Sequence, residues 1–199
     1  MAEIREPFTG LVKARLMDAI SLKQELVNSE CIAQVADVAT AIIAALKGGG
    51  KVLFFGNGGS SMDAGHLAAE LAGRFYRDRP GLGGISLSDS TASVTAIAND
   101  YGYDDVFARQ VRGLGRLGDV AVGLTTSGNS GNVLEALKVA QDIGMFTAAL
   151  TGRSGGKVVE AVDICIRVPS DDTPRIQEAC MHLGHTICEI VEREMFPEG

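Results

Sequence analysis

The chain carries no C-x-x-C pair among its four cysteines, Cys31, Cys165, Cys180 and Cys188, and no tryptophan at all. A chain of 199 residues buries enough apolar surface to do without disulfide staples, so these cysteines read as reduced, mostly packed thiols of a cytosolic protein. An excess of basic residues is missing too. The net charge is −7, which argues against non-specific nucleic-acid binding, because that binding needs a basic face. The opening residues, MAEIREPF, bear acids and no apolar core, so no secretory signal is expected. The most apolar helical stretch, Cys31 to Leu46, contains Gln34 and Asp37 and is too short for a bilayer. These absences point to a cytoplasmic protein with no membrane and no nucleic-acid partner. What remains is the composition of one globular domain, 46% hydrophobic and 22% charged, with 25 glycines.

The glycines are placed with purpose. Lys51 to Leu71, KVLFFGNGGSSMDAGHLAAEL, opens with an apolar run, Val52 to Phe55, suited to a buried parallel strand. A turn follows, Gly56-Asn57-Gly58-Gly59-Ser60-Ser61, and then Ala64, Leu67, Ala68 and Leu71 recur at helical spacing. Strand, glycine turn and helix N-terminus in that order make an anion site, since backbone N–H groups converge where glycine allows close approach. The turn lacks the G-x-G-x-x-G spacing of a dinucleotide site and the lysine of a P-loop. One turn into the helix, His66 and Glu70 share a face, with Asp63 one turn earlier.

Two helices precede this stretch. The first spans about Phe8 to Asn28, with Leu11, Ala14, Leu16, Ile20, Leu22 and Leu26 as its apolar positions. The second runs from about Ser29 to Lys47 and stops at Gly48-Gly49-Gly50. Residues 1–50 are thus a helical extension that covers a sheet face or packs subunits, and 51–199 form an α/β core. After the polar connection Arg74 to Gly83, further strands are expected at Gly84 to Leu87, Asp119 to Thr125, Phe146 to Leu150 and Asp163 to Val168. Between them lie a weakly helical Ser90 to Ile97, helices at Asp104 to Leu114 and Asn132 to Ile143, and a short helix after the Gly-rich turn Thr151 to Gly156. Thr173-Pro174 starts the last helix. Strands alternating with helices predict a doubly wound, mostly parallel five-stranded sheet, with ligands at the carboxyl ends of the strands.

The third expected strand ends in a second polar turn, Thr125-Thr126-Ser127-Gly128-Asn129-Ser130-Gly131. By itself it is an ordinary cap for the next helix. Beside the first Gly/Ser turn, it points to a phosphorylated, hydroxyl-rich ligand held by both. His66 and Glu70 form a metal pair, an acid/base pair or a surface hydrogen bond, and spacing alone leaves the three open. His182 and His185 lie on the last helix, with Gln177 two turns before His185, about 12 Å along the axis. Gln177 and His185 reach one small ion only with both side chains bent inward, or from different subunits.

The segments GNGGSSMDAGHLAAEL, TAIANDYGYDDVFARQV, TTSGNSGNV and RIQEACMHLGH closely resemble the phosphoheptose isomerases of the sugar-isomerase (SIS) domain family, nearly end to end. That resemblance implies a single SIS domain over 1–199. It also implies conversion of sedoheptulose 7-phosphate to D-glycero-D-manno-heptose 7-phosphate, the first step toward activated heptose for bacterial lipopolysaccharide. Further implications are a homotetramer with active sites at subunit interfaces and one Zn2+ per subunit on His66, Glu70, Gln177 and His185. The implied substrate positions are Asn57, Gly58, Gly59, Ser60, Asn99, Asp100, Thr125, Thr126, Ser127, Ser130 and Gln177, with Glu70 also at the substrate. Thr125 stands where the family usually has serine and keeps the donor; His182 matches no family ligand and is left structural.

The chemistry suits the residues. Aldose–ketose isomerisation moves a proton between C1 and C2 through an enediol, with Glu70 as the natural base and His185 as the natural shuttle. Zinc would polarise the carbonyl. A carboxylate bound to zinc is a poorer base, so Glu70 is expected to change its coordination during turnover. The rival reading is a non-catalytic member of the same family, a tetrameric partner of the bacterial replication initiator DnaA. That relative lacks the acid and the histidine kept here at 70 and 185, and the enzyme is the reading preferred.

Overall fold

A computed structural model describes the backbone of residues 2–197 and side chains from Phe8 onward. The helices are α1 (Ala2–Val27), α2 (Cys31–Lys47), α3 (Gly59–Ala72), α4 (Thr91–Tyr101), α5 (Ala108–Leu114), α6 (Gly131–Ile143) and α7 (Thr173–Met195). The strands are β1 (Val52–Gly56), β2 (Gly84–Ser86), β3 (Val120–Leu124), β4 (Phe146–Thr151) and β5 (Ile164–Arg167). They form one sheet in the order β2-β1-β3-β4-β5, with every neighbouring pair parallel.

The strand sequences explain the sheet. Both faces of a parallel sheet are covered, so its strands carry continuous apolar runs, and VLFFG of β1 and VAVGL of β3 are buried at every position. Alternation then divides the side chains. Phe54, Val122 and Leu150 face α2, α3 and α7, where they meet Ile42, Leu67, Leu71, Leu183 and Ile187. Leu53, Phe55 and Ala149 face the layer of α5 and α6, with Phe107, Val111, Val133 and Leu137. Each Leu or Phe fully buried in this way contributes roughly 1.5–3 kcal/mol relative to exposure. Helices α3 and α7 approach closely enough that a Cβ on Gly184 would lie 2.7 Å from Leu67 Cδ2.

The chain enters the sheet at β1, crosses to β2 on one side, and then returns to place β3 on the other. The switch point is therefore the carboxyl end of β1 and β3, where both glycine-bearing turns lie. At the opposite end, the buried carboxylate of Asp119 accepts from Lys51 N at 2.9 Å, Lys51 Nζ at 2.6 Å and Arg116 N at 2.9 Å.

Of the apolar positions on α1, Leu22 and Leu26 are buried and Leu11, Leu16 and Ile20 are exposed, because only the last turns of α1 meet the core. Two local expectations need correction. The weak helix at Ser90 to Ile97 is a regular one extending to Tyr101, with Ser90 Oγ accepting from Ser93 N at 3.3 Å. The expected helix from Asp104 is instead a 3₁₀ turn at Tyr103–Asp105, separated from α5. Among the described residues, no single helix is long and apolar enough to cross a membrane.

Candidate active site

Helices α3 and α7 run in the same direction side by side. Gln177 lies against Gly59, Gly184 against Leu67, His185 against His66, and Cys188 Sγ reaches Leu67 O at 4.0 Å. This pairing sorts the candidate residues into two tiers.

On the lower tier, His66 Nε2 lies 3.0 Å from Glu70 Oε1 and 3.0 Å from His185 Nε2. One ligand atom from each of the three residues lies within 4.8 Å of the others. An imidazole nitrogen has one in-plane position and either donates or accepts there, so His66 Nε2 cannot satisfy both neighbours by hydrogen bonding. A cation between three lone pairs resolves that conflict. Neighbouring N or O ligands of tetrahedral zinc lie about 3.3 Å apart, close to the spacing here. The donor set therefore fits a divalent metal. Burial, reinforced by His66, pushes the His185 pKa below the usual histidine value, with Glu70 opposing and His182 adding to the shift. The Phe75 ring stands 5.8 Å from that of His185. Exposed His182 accepts from Thr186 Oγ1 through its carbonyl at 3.0 Å.

Gln177 belongs to the upper tier, where any side chain on Gly59 would collide with its amide. With Ser60, Asp63, Thr125, Thr126 and Cys180, it encloses a small space under the loops. Burial raises the Asp63 pKa, against the pull of His66, and Asp63 Oδ2 has no hydrogen-bond partner among the described residues. Burial likewise pushes the Cys180 thiol up to about 12.

The two turns are wired together. Asn57 Nδ2 donates to Asn132 Oδ1 at 2.8 Å, Asn132 Nδ2 donates back to Asn57 Oδ1 at 2.9 Å, and Tyr103 OH adds a third bond to Asn57 Oδ1 at 3.0 Å. Within the second turn, Thr125 Oγ1 and Ser130 Oγ are 3.1 Å apart, and Asn129 N donates to Ser127 Oγ at 3.2 Å. Gly128 has φ +67°, and a side chain there would strike Gly155 O, so only glycine lets this turn seat against the one after β4. Val158 N donates to Gly128 O at 3.0 Å, completing the seam.

Beside that seam opens a polar cavity of about 330 Å³ lined by Thr126, Ser127, Asn129, Arg153, Asp171 and Thr173, among others. Neither Gly58 nor Ser130 caps its helix through a side chain; Ser60 N and Ser61 N donate instead to Asn57 O and Gly58 O, and Val133 N to Ser130 O. Ser127 is exposed there, whereas Ser60 and Thr125 are buried. Asn99 and Asp100 sit exposed on the last turn of α4, Asn99 Nδ2 donating to Asp100 Oδ1 at 2.8 Å. Tyr103 follows that turn and links it to Asn57.

The sequence reading did not single out Asn132, Tyr103, Arg153, Asp171 or Phe75. Asn132 carried a usable signal: it is an asparagine at the start of the helix that follows a central strand's polar turn.

A profile of the SIS domain matches residues 17–152. The chain is 46% identical over 195 residues to phosphoheptose isomerase 2 of Campylobacter jejuni, covering 98% of this chain and 97% of that protein. Among solved structures it matches a phosphoheptose isomerase from Neisseria gonorrhoeae with TM-score 0.88 and 41% identity, covering 93% and 98% of the two chains. A phosphoheptose isomerase from Francisella tularensis matches with TM-score 0.89 and 37% identity, again covering 93% and 98%.

Proposed function

Because the chain belongs to the SIS domain family and matches its phosphoheptose isomerases almost end to end, we propose that it interconverts sedoheptulose 7-phosphate and D-glycero-D-manno-heptose 7-phosphate. The observation that carries the mechanism is the cluster of Glu70, His66 and His185 on two helices, α3 and α7, whose N-terminal ends meet the Gly/Ser turns. Starting from the ketose, Glu70 removes a proton from C1 and the electron pair forms the enediol. Glu70 then returns the proton to C2 as the aldehyde forms at C1. His185 moves the hydroxyl proton from O1 to O2, so atoms and charge balance across the cycle.

His66, Glu70 and His185 would hold Zn2+, with Gln177 as the fourth ligand. When bound, zinc supplies Lewis-acid polarisation of the substrate oxygens. Gln177 sits on the upper tier of its own chain, against Gly59, which favours its delivery from a neighbouring subunit. The phosphate is read into the Thr125 to Ser130 turn, where hydroxyls and the N-terminus of α6 converge. Asn57 to Ser60 and Gln177 face the sugar, with Asn99 and Asp100 closing the rim through Tyr103.

The exposed face of α1 supports a homotetramer, and the composition supports a cytoplasmic enzyme organised as one unit, 1–50 helical and 51–199 α/β. The replication-partner reading loses its ground, because the acid and the histidine that such a protein would lack are both present and in contact with His66.

The test is turnover of sedoheptulose 7-phosphate in deuterated water. Wild type should form the aldose and place deuterium at C2. Glu70→Gln should stay folded, still bind the sugar phosphate, and lose about 10²–10⁴-fold in kcat with no label incorporated. Wild type that neither turns over nor exchanges would sink the reading.

A further inference from the structure

Glu192 sits on α7, far along the helix from Gln177, and is 1% exposed. Its carboxylate is committed to one stretch of chain, the connection between α3 and β2. Oε1 accepts from Phe75 N at 2.9 Å and Arg79 Nε at 3.0 Å, and Oε2 from Tyr76 N at 2.7 Å and Arg77 N at 3.0 Å. Arg79, equally buried, carries the other side of its guanidinium into the carbonyls that end α3. Nη2 donates to Glu70 O at 2.7 Å, and Nη1 to Leu71 O at 2.8 Å and Gly73 O at 3.1 Å.

A fully buried ion pair is a poor source of net stability, because desolvating both charges offsets their attraction. Apolar side chains of similar volume would bury comparable area but leave the N–H groups of Phe75, Tyr76 and Arg77 without acceptors. They would not fix direction. The ion pair ties down the backbone of Glu70 on one side and Phe75 on the other, and Phe75 packs its ring 5.8 Å from His185. Both ends of the clamp thus reach the lower tier of the site without touching the cavity.

We propose that Glu192 is a positioning residue for the isomerase site, setting Glu70 through Arg79 and His185 through Phe75. The proposal rests on the reading of Glu70 and His185 as the reacting pair. Glu192→Gln turns one oxygen into a donor that opposes two N–H groups, releasing half of the clamp while keeping size. Outer partners that orient metal-site ligands usually matter by about 10–100-fold, so kcat should fall by that order while KM, set by the distant phosphate turn, stays within about threefold.

The control is Asp119→Asn. It weakens a comparable buried carboxylate network at the opposite end of the sheet. Four readouts are needed on each full-length variant: thermal midpoint, kcat, KM, and the visible absorption and affinity of Co2+ added to metal-stripped protein. Glu192→Gln should weaken Co2+ binding and alter its spectrum as kcat falls. Asp119→Asn should lower the thermal midpoint and leave kcat and the Co2+ spectrum unchanged. Should Glu192→Gln fail to fold, Arg79→Lys, which keeps the charge and loses the carbonyl contacts, carries the same expectation.

Wild-type kcat and Co2+ spectrum in a folded Glu192→Gln would overturn the positioning role alone. So would equal losses in Asp119→Asn, since a general loss of stability would then explain both. Normal turnover in Glu70→Gln, run beside them, would instead remove the site reading and take the positioning role with it.

Discussion

The side-chain amides of Asn57, in the turn after β1, and Asn132, at the start of α6, donate to one another at 2.8 and 2.9 Å. The pair uses one N–H and the oxygen of Asn57, and leaves its second N–H for a ligand. Asn132→Ala should therefore cost about 1 kcal/mol in denaturant-measured stability, since it leaves the Nδ2 of half-buried Asn57 without this acceptor while Tyr103 OH still serves its oxygen. It should also raise KM for the sugar phosphate severalfold. Unchanged KM would place Asn57 outside the sugar's reach.

Ser127 is the exposed hydroxyl of the second turn, held by Asn129 N. Ser127→Ala should raise KM and lower kcat together, by about tenfold in kcat/KM, because remote phosphate binding orients the reacting end. Steady-state kinetics check this, and a variant that matches wild type would move the phosphate elsewhere.

Protein purified without chelator should contain about one zinc per chain by elemental analysis. His66→Ala should lose the metal while keeping its secondary structure by circular dichroism. Full activity in metal-free protein would reduce the ion to a bystander.

Phe8, Leu11, Val12 and Leu16 are all more than half exposed and recur on one side of α1. Leu16→Glu should shift the light-scattering mass from tetramer toward smaller species, and kcat should fall with it if subunits share sites. A monomeric wild type with full turnover would end the shared-site view.

Burial alone would raise the Glu192 pKa, but the N–H groups of Phe75, Tyr76 and Arg77 and the Arg79 side chain together hold it below the usual value. Arg79 pairs with it directly, Cys188 lies one turn away on its own helix, and Arg77 binds it through its backbone N–H. A depressed folded pKa gives stability that is present above the unfolded pKa of about 4.3 and lost as pH falls through the folded value. Wild type should therefore lose stability below about pH 4, and Glu192→Gln should show a flatter acid limb in pH-dependent denaturant melts.

The sheet was legible because its strands are short apolar runs with nothing polar inside, and because glycine turns mark where β1 and β3 end. His66 and Glu70 were legible from helical spacing alone. His185 was tied to them in the sequence only by the family resemblance, because its contact with His66 depends on α7 lying beside α3, a long-range fact that no local pattern contains. Glu192 was hidden for a different reason: on the sequence it is one more acid in EIVEREM, and its burial follows from how the connection 74–83 folds back. In α1 the apolar stripe with Leu11 and Leu16 left open whether a sheet face or another subunit covers it, and the fold of one chain leaves both exposed. A helical stripe shows that a face is apolar without showing which molecule covers it.

The strand order has a consequence for how the chain comes to be folded. β3 holds the middle of the sheet and bridges β1 to β4, yet it begins only at Val120. A nascent chain that has emerged through α4 has just β1 and β2 to pair, with one edge of Phe54 and Phe55 bare. No hairpin is available to shorten the search, because every pairing in the sheet is parallel and long-range, and such topologies fold slowly. Chains interrupted before Leu124 should therefore be the aggregation-prone ones, and the supply of active enzyme depends on translation passing that point promptly.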